Sequence, residues 1–143
     1  MSIPPSLRAL IESGALAHIV TINKDGTPHV TVIWVGIEDD EVVAAHLPRN
    51  QKVRNIERNP RVVLSLEAAT KSNYGLTEYA VIHGTARITE GGAPELLQKL
   101  AYVYMGAGVK FPPMPNPPPG YVTRIRVDKV EGVGPWVEEA KQS

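Results

Sequence analysis

Apolar positions come in two rhythms along this chain: short β-branched runs bounded by Gly, Asn and Asp, and three stretches with helical spacing. Residues 4–13 put Leu7, Leu10 and Ile11 on one face and stop at Gly14, which predicts a short helix. Ala17-His18-Ile19-Val20-Thr21-Ile22 reads as a strand, and Asn23-Lys24-Asp25-Gly26 as the turn that follows. A second strand is expected over 29–37, a turn at Glu38-Asp39-Asp40, and a third strand over 41–47, making a meander. Residues 50–59 read as a helix capped by Asn50, with Val53 and Ile56 inward and Pro60 ending it. A fourth strand is expected over 61–66, a polar loop over 69–76, and a long fifth strand over 79–89. Gly84 lies inside that strand, where glycine marks a bulge or a bend. Pro94 opens a helix over 93–104 that turns Leu96, Leu97, Leu100 and Tyr104 inward. After a proline loop comes a sixth strand over 121–130, and 132–136 is expected to run extended and then fray.

Several strands lack clean alternation. Positions 30–37 are apolar or β-branched almost throughout, as when both faces are covered. In a small chain one face is the inside of a barrel, and the other needs a helix or a second subunit. The expectation is a single domain over 1–143, mainly β with short helices: a barrel that dimerises through its outer wall.

Composition narrows the function. The chain has 143 residues, enough for one core and too few for two ordinary domains. Lys+Arg and Asp+Glu are both 15, without the basic excess of a nucleic-acid binder. No apolar run approaches the ~20 residues of a membrane span, and the start, Met1-Ser2-Ile3-Pro4-Pro5, lacks the pattern of a signal peptide. Cysteine is absent, which excludes disulfides, thiolate catalysis and cysteine-held metals and fits a cytoplasmic setting.

His46-Leu47-Pro48-Arg49-Asn50-Gln51-Lys52 is the stretch with the most chemistry. A strand ends and a helix begins there with cations in its first turn, where the helix end is itself positive and acidic residues are preferred. Arg49 and Lys52 make sense around an anion such as a phosphate; a solvated basic helix start is the alternative. His18, His29, His46 and His83 lie on separate segments without metal-ligand spacing, so no metal site is expected. No Gly-x-Ser-x-Gly, Gly-x-Gly-x-x-Gly or P-loop pattern occurs. Trp34, in mid-strand, suits the core or the face of a planar ring. Trp136 suits a dimer contact, a lid or the surface.

Three stretches carry a family resemblance. They are Asp25-Gly26-Thr27-Pro28-His29-Val30, then Lys52-Val53-Arg54-Asn55 with Pro60-Arg61-Val62, then Tyr79-Ala80-Val81-Ile82-His83-Gly84. With them nearly the whole chain resembles the pyridoxamine-phosphate-oxidase-like split β-barrel flavoproteins of FMN-binding fold. Within these it looks like the B-type deazaflavin (coenzyme F420)-dependent reductases. The resemblance implies a homodimer with cofactor sites between subunits. It implies that Arg49, Gln51, Lys52 and Asn55 hold the cofactor phosphate with His46 beside them, that Thr31, Ile33 and Trp34 line the ring, and that the other subunit contributes near Tyr79. It further implies hydride transfer from the reduced cofactor to α,β-unsaturated lactones such as aflatoxins and coumarins, with no obligatory protein acid or base. FMN chemistry on the same fold, with Arg87, Arg124 and Arg126 as extra phosphate ligands, and a non-catalytic cofactor carrier are the competing expectations.

Overall fold

A computed structural model describes residues 1–142. The elements run α1 (Pro5–Glu12), β1 (Ala17–Ile22), β2 (Pro28–Ile33), β3 (Gly36–Glu38), β4 (Glu41–His46), α2 (Gln51–Arg58), β5 (Arg61–Lys71), β6 (Thr77–Glu90), α3 (Ala93–Tyr104), β7 (Tyr121–Val133) and α4 (Trp136–Lys141). All strand pairings are antiparallel, in the order β2-β1-β5-β6-β7-β4-β3.

That order makes the sheet a split barrel. Its edge strands, β2 and β3, follow each other in the chain with only Trp34 and Val35 between them. Three Cα–Cα steps span at most ~11 Å, so the sheet must curl until its edges nearly meet. Tyr104 fills part of the seam: its hydroxyl accepts from the Val35 N–H at 3.0 Å and donates to the Ala15 carbonyl at 2.7 Å.

Three expectations need correction. The strand expected over 29–37 is two strands, because the chain changes edge at Trp34–Val35. Within it Val30 and Val32 are 55% and 51% exposed on the single chain and point outward while His29, Thr31 and Ile33 point inward, so no helix of this chain covers that face. The polar 69–76 stretch is mostly hairpin, with β5 reaching Lys71 and a turn closed by Ser72 N–H to the Leu76 carbonyl at 2.8 Å. The tail does not fray after 136. It forms α4, whose Glu139 accepts from the N–H and hydroxyl of Ser6 at 2.9 and 2.8 Å and so caps α1.

The bulge expected at Gly84 is present. Register slips between His83 and Gly84, leaving Asp128 of β7 unpaired. A Cβ on Gly84 would stand 2.5 Å from Ile125 Cγ2 and 2.8 Å from the Arg126 carbonyl oxygen, so only glycine fits. The main core fills the barrel with Ile19, Leu64, Leu66, Ile82 and Ile125. A smaller cluster of Val43, Leu96, Leu100 and Val122 packs α3 on β4 and β7, with Trp34, Ala45 and Tyr104 at its border. No helix among the described residues is long and apolar enough to cross a membrane.

Candidate functional site

The barrel's seam opens beside that smaller cluster into a cavity of about 240 Å³. Ile33 and Trp34 reach it from the end of β2, Ala45 and His46 from the end of β4, Lys52 from α2, Leu97 and Leu100 from α3, and Phe111 from the following loop. The aromatic wall is layered. Trp34 stacks on Tyr104 at 5.3 Å between centroids and 11° between planes, and Phe111 leans on Trp34 at 5.3 Å and 57°.

Helix α2 brings the charge. The Asn50 side chain accepts from the Val53 N–H at 3.2 Å and fixes the helix start, while Val53 and Ile56 bury its inner face. This turns Lys52 toward the cavity. Burial pushes its ammonium below the ordinary 10.5, and among the described residues no carboxylate pairs with it. A half-buried cation without a counter-charge, at the positive end of a helix, is costly and marks a place for an anion. His46 is 7% exposed and shares a 2.9 Å hydrogen bond with Thr123 Oγ1. Burial, and then the Lys52 charge, push it down to about 4, so at neutral pH it is an uncharged polar wall.

The remaining sequence candidates fall in four places. Thr31 alternates with Ile33 and so faces the same side; its Oγ1 and the His29 Nδ1 are buried without a hydrogen-bond partner. Asn55 is wholly buried and saturated. Its amide donates to Thr21 Oγ1 and Asn23 Oδ1 at 3.0 and 2.9 Å and accepts from Gln51 Nε2 and Arg58 Nη2 at 2.9 and 3.0 Å. Gln51 belongs to this network, which ties α2 to β1. Arg49 lies at the surface with its guanidinium on Glu57, 2.9 Å from Nε and 2.8 Å from Nη2. Tyr79 is not brought to this cavity. It stands on the outward face of the sheet, where its carbonyl accepts from Trp136 Nε1 at 3.1 Å.

Sequence reasoning missed Leu97, Leu100, Thr123 and Phe111 as site residues. Phe111 left one signal: it is the chain's single phenylalanine, set among glycines and prolines. A larger hollow of about 570 Å³ lies on the outward face of β1, β5 and β6. It is the weaker candidate despite its size, because His83 and Thr85 there already hold Glu131 and Asp128, both at 2.6 Å.

A family model described as pyridoxamine 5'-phosphate oxidase matches residues 3–134. The chain belongs to this family.

Its likeness to other pyridoxamine 5'-phosphate oxidase folds extends to solved structures. A protein titled F420 reductase is 25% identical with a TM-score of 0.67, over 87% of this chain and 94% of that one. A conserved hypothetical protein from Mycobacterium tuberculosis is 21% identical with a TM-score of 0.68, over 95% and 86%. A heme binding protein from Mycobacterium smegmatis is 19% identical with a TM-score of 0.61, over 89% of this chain and 52% of that one. No protein of curated function matches the chain. The family places the chain on an oxidoreductase fold that takes flavin-type cofactors, and the cavity suits that ligand class. It offers a flat aromatic wall, an apolar floor, a neutral buried imidazole at His46 and one cation. At about 240 Å³ it admits a ring system rather than a whole dinucleotide-sized molecule.

Proposed function

We propose that the chain is a coenzyme F420-dependent reductase that hands a hydride to the activated double bond of a planar small molecule, an α,β-unsaturated lactone of the aflatoxin or coumarin type. The observation that carries this reading is Lys52: a half-buried, unpaired cation beside a ring-sized aromatic cavity.

Bound there, the reduced deazaflavin supplies the hydride. The protein's part is to bind and to orient. Lys52 and the neighbouring α2 N–H groups hold the anionic side chain of the cofactor. Trp34 and Phe111 present flat faces to its ring. Leu97 and Leu100 keep water from the reacting face, and a solvent proton completes the reduction. No protein acid or base is needed.

Charge on the phosphate group itself favours the deazaflavin over FMN. A phosphate monoester carries ≈ −1.5 to −2 near neutrality, whereas the phosphodiester of the deazaflavin carries one charge, which Lys52 alone matches. The further arginines that an FMN phosphate would call on are already engaged: Arg87 with Glu41 at 2.8 Å, Arg124 with Glu38 at 3.1 Å, and Arg126 with Asp128 at 2.8 Å. Arg49, whose surface pair with Glu57 costs little to break, stands just before α2 and is the arginine of these four nearest Lys52 in the chain.

The same reading makes the working unit a cytoplasmic homodimer. Tyr79 shares its outward face with Val30 and Val32, so a second copy docked on that face would carry its own Tyr79 toward this chain's site. Titrating FMN and coenzyme F420 side by side tests the cofactor. Anaerobic mixing of the reduced deazaflavin with a coumarin, read by loss of its visible band and a product two hydrogens heavier, tests the reaction. Binding of FMN alone would overturn the assignment.

A further inference from the structure

Phe111 belongs to the walls of two cavities. On one side is the ring-sized cavity with Trp34 and Lys52; on the other is a hollow of about 460 Å³ beneath the proline loop, bordered by Pro94, Gln98, Met114, Pro115 and Pro117. Without its ring the partition between them would open. The two walls differ in how they are held. Trp34 is backed by Tyr104, which is itself hydrogen-bonded to the seam. Phe111 lies on a loop and is held through its backbone by one side chain. Gln98 of α3 accepts from the Phe111 N–H at 3.0 Å and donates to the Val109 carbonyl at 2.7 Å. This amide takes the place of a strand partner for three residues of loop. On one side of the clamped stretch are Gly106 and Gly108, with φ of 108° and 82°, values that L side chains rarely adopt. On the other side the chain is fixed by a run of prolines. The segment is thus joined to α3 by two hydrogen bonds from one glutamine.

We propose that Phe111 is a gate that sets the ring size of the planar ligand admitted to this site, and that Gln98 is the positioning residue that holds the gate closed. Closed, the cavity takes a compact ring system. Open, the two hollows join, and the prolines and Met114 give a wider fused-ring acceptor an apolar bed. The inference rests on reading the cavity as the ring site, and it gives that reading a size rule that Lys52 and Trp34 do not supply.

Binding alone tests it, with no cofactor present. Equilibrium dialysis compares a three-ring furocoumarin, as wide as the ring of the proposed cofactor, with a five-ring aflatoxin-type lactone on the whole protein. The wild type is expected to prefer the smaller probe. Phe111→Ala should shift the ratio toward the larger one by roughly tenfold or more, the scale of a hydrophobic size filter. Phe111→Trp should shift it the other way. Gln98→Ala should act in the same direction as Phe111→Ala but more weakly, and should add nothing in the Phe111→Ala background. Additive effects of the two would make Gln98 merely structural and overturn its role. A ratio unmoved in both Phe111 variants, or no binding of either probe by any protein, would overturn the gate. Titration of the deazaflavin on the same wild-type sample keeps the two readings apart. Size selection without deazaflavin binding would sink the proposed function and leave the gate standing.

Discussion

Lys52 and His46 line one cavity, and the lysine's charge adds to burial in holding the histidine neutral. Nothing comparable acts on the lysine: burial alone lowers it, because a neutral imidazole brings no charge. The site therefore keeps one positive charge, unscreened by any carboxylate, at the place where α2 is already positive.

That arrangement sets function against stability at Lys52. Lys52→Met should weaken binding of the anionic cofactor by about 1.5–3 kcal/mol, the range for a charge-assisted hydrogen bond. The same change should raise the melting temperature at neutral pH, because it removes a cation whose burial disfavours its charged form. Unfolded, this lysine binds its proton more tightly than folded. Stability should thus rise with pH toward its ordinary 10.5, and this rise should vanish in the variant. Thermal melts with and without cofactor check both signs. A less stable Lys52→Met with unchanged affinity would make Lys52 an ordinary helix residue.

His46 predicts an acid transition. Its folded pKa, about 4, lies below the ordinary 6.5, so the unfolded chain binds the proton first. Stability is complete above 6.5 and falls as pH drops toward 4, by about 3 kcal/mol in all. The carboxylates of Asp25, Asp128 and Glu131 are lowered by hydrogen bonds, so their stabilisation is lost only below their ordinary 3.8 to 4.5. The upper half of the window therefore belongs to His46. Urea midpoints between pH 7 and 5 should slope in the wild type and flatten in His46→Gln.

Asn55 was legible as a residue to single out but not in its role. The family pattern put it with the phosphate ligands; the structure seats it fully buried between Thr21, Asn23, Gln51 and Arg58. Asn55→Ala strands several of these groups and should cost about 2–3 kcal/mol of stability. Because the side chain is wholly buried, any loss of cofactor affinity should disappear under conditions that restore folding. An affinity loss that persists in fully folded protein would return Asn55 to the ligand.

How much of the site was readable depended on sequence distance. Asn50, Lys52 and Pro60 act within one helix, and local rules locate its cap, its misplaced cation and its end. Thr31, Ile33 and Trp34 were readable as one strand's contribution. The break after Ile33 was not, because only closure of the barrel requires the chain to change edge there. Phe111 reaches the cavity through Gln98, thirteen residues earlier on α3, and no periodicity links a loop aromatic to a helix amide. The short α4 escaped for the same reason: its Glu139 holds the start of α1, at the far end of the chain.

The outward face of the sheet carries the last prediction. In register, Val32, His18, Ser65 and Val81 form one row across β2, β1, β5 and β6, and Val30, Val20, Val63 and His83 form the next. Val30 and Val32, at 55% and 51% exposed, lie on the edge strand β2, where apolar side chains invite pairing. Covering them with a second copy would bury both rows and bring in Tyr79, which lies two residues before Val81 on the same face. Light scattering at micromolar concentration should therefore give twice the chain mass. Val30→Glu, on the same face but away from the cavity lining, should give the monomer while leaving the melting curve of that monomer cooperative, since an exposed position tolerates charge. Cofactor affinity should fall with it, because Tyr79 of the second copy is lost. A wild type that scatters as a monomer would remove the shared site; a monomeric Val30→Glu that binds cofactor as tightly as the dimer would confine the site to one chain.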